Sequence, residues 1–289
     1  MNIPITGHTK LTALLGSPVT HSISPLMHNE GFRHHGLDYV YLCFDVTQDT
    51  LPEVVHGLTK AGIRGFNLTM PNKNRMVSLV DELAPAAQLI GAVNTVVQED
   101  GHLTGHNTDG VGFMRSLHSC EFAVAQSTMT VLGAGGAATA ICAQAALDGI
   151  GTLYIAARTT SRHWNRMMTL VEHINQQGLC KAILVDMQNT DLLRDAISQS
   201  DLLVNATSVG MAPQLQACPI PHQNFLHSDL FVADIIYNPK ETQLLAMARS
   251  LGCRTLNGLP MLLYQGAEAF RLWTGKPLPV ELIREKYFS

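Results

Sequence analysis

One stretch of the sequence, residues 130–149, constrains the fold more than any other. It reads as a short apolar strand, a glycine-containing turn and an alanine-rich helix. Gly133 permits a tight turn off the strand, Gly135 lets backbone N–H groups approach a pyrophosphate, and Ala138 allows close packing of helix on strand. The unpaired N–H groups and the dipole of the helix N-terminus favour an anion. The pattern predicts a dinucleotide-binding turn, although a plain strand-to-helix turn would use the same glycines.

The second strand of this region, residues 152–157, is followed by basic and hydroxyl side chains instead of an acid. A carboxylate at this position would bind the ribose 2′-hydroxyl of NAD. The guanidinium groups of Arg158 and Arg162 favour a 2′-phosphate instead, because their planar donors form charge-assisted, bidentate hydrogen bonds. A solvated helix start is the alternative explanation for both arginines. We therefore predict NADP as cofactor, with NAD as the alternative.

Length and composition limit the possible domain organisation and the possible classes of function. A chain of 289 residues accommodates two domains of ordinary size. Its net charge of −4 argues against a nucleic-acid or anionic-membrane binder. We find no signal-peptide pattern and no apolar run long enough to cross a bilayer, and we expect a cytoplasmic location. The six cysteines form no CxxC pair and the histidines no HExxH motif, so we predict no bound metal.

The second half of the chain alternates between strands and helices from residue 128 onward, which predicts a doubly wound parallel sheet of the Rossmann type. A proline-bearing segment, 212–222, replaces one crossover helix and should form a surface loop. Two further helices, 260–273 and 280–287, have no strand between them and should pack on the first domain. The six predicted strands lie near residues 129–132, 153–157, 182–186, 201–205, 231–236 and 254–256.

The first half of the chain predicts a second α/β domain. Strand-like residues 40–45, an amphipathic helix and strand-like residues 65–69 form a βαβ unit. Ser24 reads as a helix N-cap before Pro25 at the first helical position. Residues 92–98 and 103–107 read as a hairpin, and a helix should begin at about Val111. We predict that residues 1–109 and 259–289 form a substrate-binding and catalytic domain, and that residues 110–258 form the NADP-binding domain.

Lys73 and Asp109 are the candidate catalytic pair, since both follow predicted strand ends in the first domain. A nicotinamide-dependent dehydrogenase needs a group that takes the hydroxyl proton as hydride leaves and returns it in the reverse direction. A lysine oriented by a carboxylate can do this. By spacing alone, a structural or surface ion pair explains the two residues as well.

Neutral hydrogen-bonding side chains on predicted loops suit a small polyhydroxylated ligand, although each is individually explained as a cap or turn residue. The segment 205–211 directly follows a strand of the nucleotide domain, and its backbone is a candidate to line the nicotinamide. The neutral side chains are Ser22, Ser24, Asn67, Thr69, Asn94, Asn107, Tyr237 and Gln265.

Nearly end to end, these motifs make the chain resemble the shikimate and quinate dehydrogenases. Segment 16–29 is similar to the family's substrate-carboxylate loop, segment 67–73 to the segment with the catalytic lysine, and segment 105–109 to that of its aspartate partner. The resemblance implies that Lys73 and Asp109 are catalytic. It implies substrate binding by Ser22, Ser24, Asn67, Thr69, Asn94, Tyr237 and Gln265, and cofactor binding by Gly133, Ala134, Gly135, Gly136, Ala137, Arg158, Thr159, Arg162, Thr207 and Gly258.

The implied reaction is reversible oxidation of the shikimate 3-hydroxyl to 3-dehydroshikimate, with hydride passing to NADP⁺ in a cleft that closes between two domains. This reaction belongs to the chorismate pathway of aromatic amino acid biosynthesis. Two features depart from the NADP-type members: Ala157 stands where they usually have asparagine, and the triplet 71–73 resembles the quinate/shikimate branch. A dual quinate/shikimate dehydrogenase using NAD or NADP and a non-catalytic dinucleotide and ring-acid sensor remain alternatives. We expect a monomer or homodimer.

Overall fold

The computed structural model describes residues 4–288, which divide into two compact units. Unit 1 comprises residues 4–112 and 263–288, and unit 2 comprises residues 113–262. Both units are α/β, so the predicted fold class is confirmed. Within the described residues, no helix combines the length and apolar character needed to cross a membrane.

Unit 1 is built on a mixed sheet with the strand order β2-β1-β3-β5-β6-β4. Strands β2 and β3 run parallel to β1 on its two sides, β5 and β6 form an antiparallel hairpin beyond β3, and β4 pairs parallel to β6. The elements are β1 (Lys10–Gly16), α1 (Ser24–His35), β2 (Tyr39–Asp45), α2 (Leu51–Lys60), β3 (Gly65–Leu68), a 3₁₀ turn (Arg75–Ser78), β4 (Glu82–Leu83), α3 (Pro85–Ile90), β5 (Thr95–Glu99), β6 (His102–His106) and α4 (Thr108–His118).

The sequence did not reveal β1, although it lies between the two strands of the predicted βαβ unit. Its residues Ala13, Leu14 and Leu15 are all buried, so the strand lacks the alternation of a half-exposed strand. A short apolar run of this kind is ambiguous between strand and helix. The sequence pattern therefore did not predict that β1 lies between β2 and β3 and pairs with both.

Two helix starts differ from the sequence prediction. Ser24 is the first residue of α1 rather than its N-cap; the cap position belongs to Ile23, and no side chain caps the helix. Gly36 ends α1 in the left-handed conformation with φ 61°, as glycine allows. Helix α4 begins at Thr108 instead of near Val111, which places Asp109 in its first turn. An acidic residue there is stabilised by the helix dipole.

The predicted hairpin is confirmed. Glu99 pairs with His102, and the turn residues Asp100 and Gly101 have φ values of 51° and 86°. Two consecutive positive φ values are those of a type I′ turn, whose twist matches that of the flanking strands. The hairpin returns the chain to α4, so Asn94 on one side and Asp109 on the other come to the same end of the sheet.

Helix α9 (Leu259–Thr274), from Leu263 onward, and helix α10 (Val280–Tyr287) complete unit 1. Trp273 is buried and donates its indole N–H to the carbonyl of Val96 on β5 over 2.9 Å. A Cβ at Gly65 would lie 2.3 Å from the Trp273 Nε1 atom, so only glycine leaves room for this ring against β3. Residues far apart in sequence therefore share one core.

Unit 2 has a six-stranded, fully parallel sheet in the order β12-β11-β10-β7-β8-β9, the doubly wound order predicted for it. The segment 212–222 contains no helix or strand, as predicted. The elements are β7 (Thr128–Leu132), α5 (Gly136–Leu147), β8 (Thr152–Ala157), α6 (Trp164–Gln176), β9 (Lys181–Asp186), α7 (Thr190–Ser198), β10 (Leu202–Asn205), a 3₁₀ turn (Gln223–Phe225), β11 (Phe231–Asp234), α8 (Gln243–Ser250) and β12 (Arg254–Leu256).

Candidate active site

Lys73 and Asp109 meet in unit 1. The Lys73 Nζ atom lies 2.7 Å from Asp109 Oδ2, and their side chains are 31% and 16% exposed. Lys73 follows β3 through a short turn, and its carbonyl accepts the backbone N–H of Val93 over 2.9 Å. Asp109 is fixed by α4, where Asn107 Oδ1 accepts its backbone N–H over 3.2 Å. The pair is thus held by backbone on both sides while part of the lysine remains open to a ligand.

Asn94 holds the carboxylate of Asp109 from the opposite side. Its Nδ2 atom donates to Asp109 Oδ1 over 2.8 Å and to Thr108 Oγ1 over 3.1 Å. Its Oδ1 atom accepts from the Thr108 backbone N–H over 2.8 Å and from the Thr95 hydroxyl over 2.9 Å. Both amide hydrogens of Asn94 are therefore engaged within the protein. Contact between Asn94 and a ring hydroxyl stays a prediction.

Asn67 is joined to the same network through its own amide. Its Nδ2 atom donates to the carbonyl of Asn94 over 3.1 Å and to Thr95 Oγ1 over 2.9 Å. Its Oδ1 atom accepts the hydroxyl of Tyr41 over 2.8 Å. Tyr41 is fully buried, and burial raises its pKa well above the usual value, so the phenol keeps its proton as a donor. The Ser24 hydroxyl opposes part of this shift from beside the Tyr41 hydroxyl.

Ser22 and Ser24 lie on the loop before α1, where Ser22 Oγ accepts the backbone N–H of Ser24 over 3.3 Å. The Ser22 hydroxyl lies beside the Cys43 thiol, whose pKa is raised by burial and lowered in part by that hydroxyl. A Cβ atom added at Gly16 would lie only 2.2 Å from the methyl group of Thr69. The structure therefore places Ser22 and Ser24 beside β2 and places Thr69 against the end of β1.

Gln265 and Tyr237 belong to different units. Gln265 is on α9 in unit 1, so close to α4 that a Cβ at Gly112 would lie 2.5 Å from its backbone nitrogen. Gly112 is three residues after Asp109, hence on the same side of α4. Tyr237 is in unit 2 and half exposed. Its role in substrate binding remains a prediction.

Four residues of these networks were absent from the predicted site. Tyr41 lies inside a strand-like run. The alternation of such a run predicts which side chains point inward, but not which of them form hydrogen bonds at a functional site. Thr95 and Thr108 each follow an asparagine that we did select, and adjacency in sequence was their only signal. Asp234 in unit 2 ends a buried strand and gave no spacing pattern. Tyr41, Thr95 and Thr108 form hydrogen bonds with selected side chains. Asp234 accepts a hydrogen bond from Asn205, which in turn accepts one from the selected Thr207. A one-dimensional pattern does not display such contacts.

The arrangement in unit 1 can exchange a proton with a bound hydroxyl. Lys73 uses one donor direction on Asp109, and an amine or ammonium has further directions for a ligand. Asp109 is acceptor-only when ionised, and Asn94 occupies one of its oxygens. A hydroxyl placed at Lys73 would therefore contact a group able to take or return a proton, oriented by a carboxylate that is itself fixed.

In unit 2 the predicted dinucleotide turn has the geometry that its glycines require. Gly133 adopts φ 122°, and a Cβ there would lie 2.8 Å from the carbonyl oxygen of Ala206. Gly135 precedes α5 as its N-cap, and added Cβ atoms at Gly135 and Gly136 would meet nothing within 4 Å. This open space stands at the N-terminus of α5, where the N–H groups of its first turn face outward. The residues present fit a pyrophosphate.

Arg158 follows β8, the neighbour of β7, and its side chain is exposed together with those of Thr159 and Arg162. The backbone N–H of Gly133 donates to Ala156 on β8 over 2.8 Å, which brings the glycine turn beside this arginine segment. Arg162 directs its Nε atom to His163 Nε2 over 3.1 Å. The exposed guanidinium groups therefore lie at the same carboxyl-terminal end of β7 and β8 as the open space before α5.

Thr207 lies on the other side of Gly133. A Cβ at Gly133 would lie 3.2 Å from the Thr207 methyl group, and the Thr207 hydroxyl donates to Asn205 Oδ1 over 2.7 Å. Asn205 donates in turn to Asp234 Oδ2 over 3.1 Å. Burial raises the pKa of Asp234, and hydrogen bonds from Asn205, the Ile236 backbone and Thr242 lower it in part. This buried network orders the loop that carries Thr207.

The backbone of Gly258 lies so close to the segment that follows β11 that no residue with a side chain would fit there. A Cβ at this position would lie 1.9 Å from the carbonyl oxygen of Ile235. The Gly258 backbone N–H also donates to the carbonyl of Ile236 over 3.0 Å. Close backbone packing accounts for glycine here, and its contact with a cofactor remains a prediction.

Comparison with known proteins identifies relatives of both units. A family model described as the shikimate dehydrogenase substrate binding domain matches residues 14–96. A second model, the shikimate 5′-dehydrogenase C-terminal domain, matches residues 258–286. Among curated proteins, shikimate dehydrogenase (NADP(+)) of Listeria innocua is 49% identical over 284 residues, which cover 98% of this chain and 97% of that protein.

Solved structures agree with this result. Shikimate 5-dehydrogenase from Listeria monocytogenes, in complex with shikimate and NAD, superposes with a TM-score of 0.96 at 47% identity, covering 99% of this chain and 98% of that one. Quinate dehydrogenase from Corynebacterium glutamicum, in complex with NAD, superposes with a TM-score of 0.84 at 33% identity, covering 96% and 98%. The likeness extends over both units.

Proposed function

The chain belongs to the shikimate dehydrogenase family, and from this premise we propose that Lys73 and Asp109 handle the hydroxyl proton in its reaction. That reaction is the reversible, NADP-dependent oxidation of shikimate to 3-dehydroshikimate. It is a step in the biosynthesis of aromatic amino acids. The protein is therefore an oxidoreductase of a small hydroxylated ring acid.

The observation that supports the assignment most strongly is the 2.7 Å contact between Lys73 Nζ and Asp109 Oδ2. In the oxidation, the carbon–hydrogen bond breaks with its electron pair leaving as hydride, the hydroxyl proton passes to the Lys73 amine, and a carbonyl forms. In the reverse direction the Lys73 ammonium returns the proton to the oxygen. Asp109 orients the lysine through Oδ2, while Asn94 fixes Asp109 through Oδ1.

Bound NADP supplies the hydride acceptor of this reaction. The residues that would hold it are the glycine turn from Gly133 to Ala137, with Arg158, Thr159 and Arg162 at the 2′-phosphate. Support for the pyrophosphate position comes from the open space at Gly135 and Gly136, which a Cβ would fill. Thr207 and Gly258 complete the proposed set.

A second candidate is a dual quinate/shikimate dehydrogenase that accepts NAD. Two observations favour testing it: the relatives from Listeria monocytogenes and Corynebacterium glutamicum were both solved with NAD, and the latter is a quinate dehydrogenase. Quinate carries an additional hydroxyl on the carbon that bears its carboxylate. Space beside Ser22 and Ser24 would therefore decide between the two acids.

The test is the initial rate of the purified protein, followed by nicotinamide absorbance, with shikimate and quinate each crossed against NADP⁺ and NAD⁺. We expect turnover of shikimate with NADP⁺. Rates with quinate or NAD⁺ within about tenfold of that rate would place the chain in the dual-specificity class. No turnover in any combination, with cofactor binding retained, would contradict the proposed function and favour a sensor.

We also infer a cytoplasmic location, a monomeric or homodimeric state and no nucleic-acid partner. The net charge of −4 supports the last point, because nucleic-acid binders present excess positive charge. Size-exclusion chromatography with light scattering checks the oligomeric state, and an assembly larger than a dimer would contradict it.

A further inference from the structure

The carboxamide of Asn67 is constrained from two sides in unit 1. On one side, Tyr41 donates its hydroxyl to Asn67 Oδ1 over 2.8 Å. On the other, Asn67 Nδ2 donates to Thr95 Oγ1 over 2.9 Å and to the Asn94 carbonyl over 3.1 Å. A backbone carbonyl only accepts, so the amide nitrogen must face Asn94 and the amide oxygen must face Tyr41. The orientation of this side chain is therefore fixed by its partners.

Tyr41 is itself held rigidly. Its backbone exchanges two hydrogen bonds with the Asn29 side chain, at 2.8 Å and 3.0 Å. Its ring stacks on His28 with centroids 4.5 Å apart and an interplanar angle of 18°, and Trp273 packs at 5.9 Å. The ring is 0% exposed. Tyr41 therefore contacts both Asn29 and His28 on α1 and Asn67 on β3, so it fixes Asn67 relative to α1.

Counting donors and acceptors gives the consequence for a ligand. Both amide hydrogens of Asn67 are engaged by the protein, and Oδ1 has two lone pairs of which Tyr41 uses one. Among residues 4–288, no other group donates to Oδ1, so one acceptor position on it is left. A ring hydroxyl can donate to it, whereas a carbonyl or an ether oxygen at the same place would face an oxygen without a hydrogen between them.

We propose that Tyr41 and Thr95 are positioning residues for substrate, which fix the Asn67 carboxamide so that it presents only an acceptor to a ring hydroxyl. This inference rests on the proposed function, since it takes the ligand to be shikimate. Neither residue transfers a proton in the reaction. Tyr41 acts through Asn67, and Thr95 acts through Asn67 and through Asn94, whose Oδ1 atom accepts its hydroxyl. Their effect is on which ring substituents the site accepts.

The first test uses Tyr41→Phe and Thr95→Val, which keep the shape of each side chain and remove its hydroxyl. We expect each variant to raise the KM for shikimate about tenfold and to change kcat less than about threefold, because the constraint acts on binding. Tyr39→Phe is the matched control, since it removes a phenolic hydroxyl from the same strand, and its KM should stay within about twofold of the parent.

A double-mutant cycle shows whether Tyr41 acts through Asn67. Asn67→Ala removes the side chain that Tyr41 orients, so adding Tyr41→Phe to it should raise the KM by less than about twofold. Full additivity of the two changes would overturn the inference. Thermal unfolding of each variant confirms that the protein assayed is folded.

Substrate analogues that keep the reacting 3-hydroxyl and each lack one of the other ring hydroxyls provide a measurement that a purely structural role of Tyr41 or Thr95 would not alter. One analogue should lose at least about tenfold in kcat/KM with the parent protein, and this loss should shrink at least about threefold in Tyr41→Phe or Thr95→Val. Identical discrimination in all three proteins would overturn the proposal. Failure of the parent protein to oxidise shikimate would instead contradict the proposed function.

Discussion

Lys73 Nζ donates to Asp109 Oδ2 over 2.7 Å, although 36 residues and two strands of the hairpin separate them in the chain. The contact exists because the hairpin β5–β6 returns α4 to the end of β3. Lysine reaches the site from a turn, whereas aspartate is set in the first turn of a helix. The lysine on the turn is thus oriented by the aspartate on the helix.

Replacing Lys73 by alanine should abolish turnover while shikimate affinity changes by less than about tenfold, because the amine moves the proton and the ring is held by several other groups. Steady-state rates and calorimetric binding of shikimate measure the two quantities. Lys60→Ala, at the exposed end of α2, is the control. A Lys73→Ala protein with near-parental kcat would eliminate the assigned mechanism.

Replacing Arg158 by alanine should raise the KM for NADP at least about tenfold and that for NAD less than about threefold, since only NADP carries the 2′-phosphate. Arg194→Ala removes an exposed guanidinium on α7 and serves as control. Equal losses with both cofactors would remove Arg158 from the phosphate site.

His28 predicts a specific dependence of stability on pH. Burial lowers its pKa from 6.5 to about 3, and its Nδ1 atom is buried without a partner among the described residues. Between those values the unfolded chain binds a proton that the folded chain does not. As the pH falls from 6.5 towards 3, the equilibrium constant for folding therefore decreases by about tenfold per pH unit because of His28.

The variant His28→Phe should remove that component and flatten the stability curve below pH 6.5, measured as urea unfolding at several pH values. The control is His34→Phe on the exposed side of the same helix, which should retain the parental slope. Parallel curves for His28→Phe and the parent would show that His28 is not the linked group.

Gly258→Ala should destabilise the protein by about 2 kcal/mol or more, because its Cβ would overlap the Ile235 carbonyl at 1.9 Å and backbone must move to relieve it. Gly57→Ala is the matched control: it lies within α2 with nothing within 4 Å of an added Cβ, and alanine there should stabilise by about 0.5–1 kcal/mol. Unfolding free energies of the two variants decide the point. Similar values for both would refute the steric account of Gly258.

Periodicity and glycine chemistry were sufficient to predict the doubly wound parallel sheet of unit 2. Each of its six strands follows a turn or helix signal, and a parallel sheet has strands that read as continuous apolar runs. The special position of Gly133 was also readable, since a turn with φ 122° needs glycine. In unit 1 the hairpin was readable for the same reason, through Asp100 and Gly101.

What the sequence could not provide was long-range pairing. Strand β1 pairs with two strands that follow it, and its apolar run has no period to identify it. Tyr41 joins the site through one hydroxyl on Asn67, a contact across 26 residues that no local pattern encodes. Ser24 resembled a cap because serine before proline commonly is one. Its environment beside Tyr41 becomes visible only when β2 and α1 are placed together.

The hydrogen bond from Trp273 to Val96 spans 177 residues, and it has a consequence for synthesis on the ribosome. Unit 2 is continuous in sequence, so all of its strands are translated before α9 is complete. The sheet of unit 1, which positions Lys73 and Asp109, therefore lacks part of its core until Trp273 has been translated. A nascent chain arrested before Trp273 would therefore leave the faces of β3 and β5 that this ring covers exposed to chaperones, and unit 1 would complete its fold only after all of unit 2 has been translated.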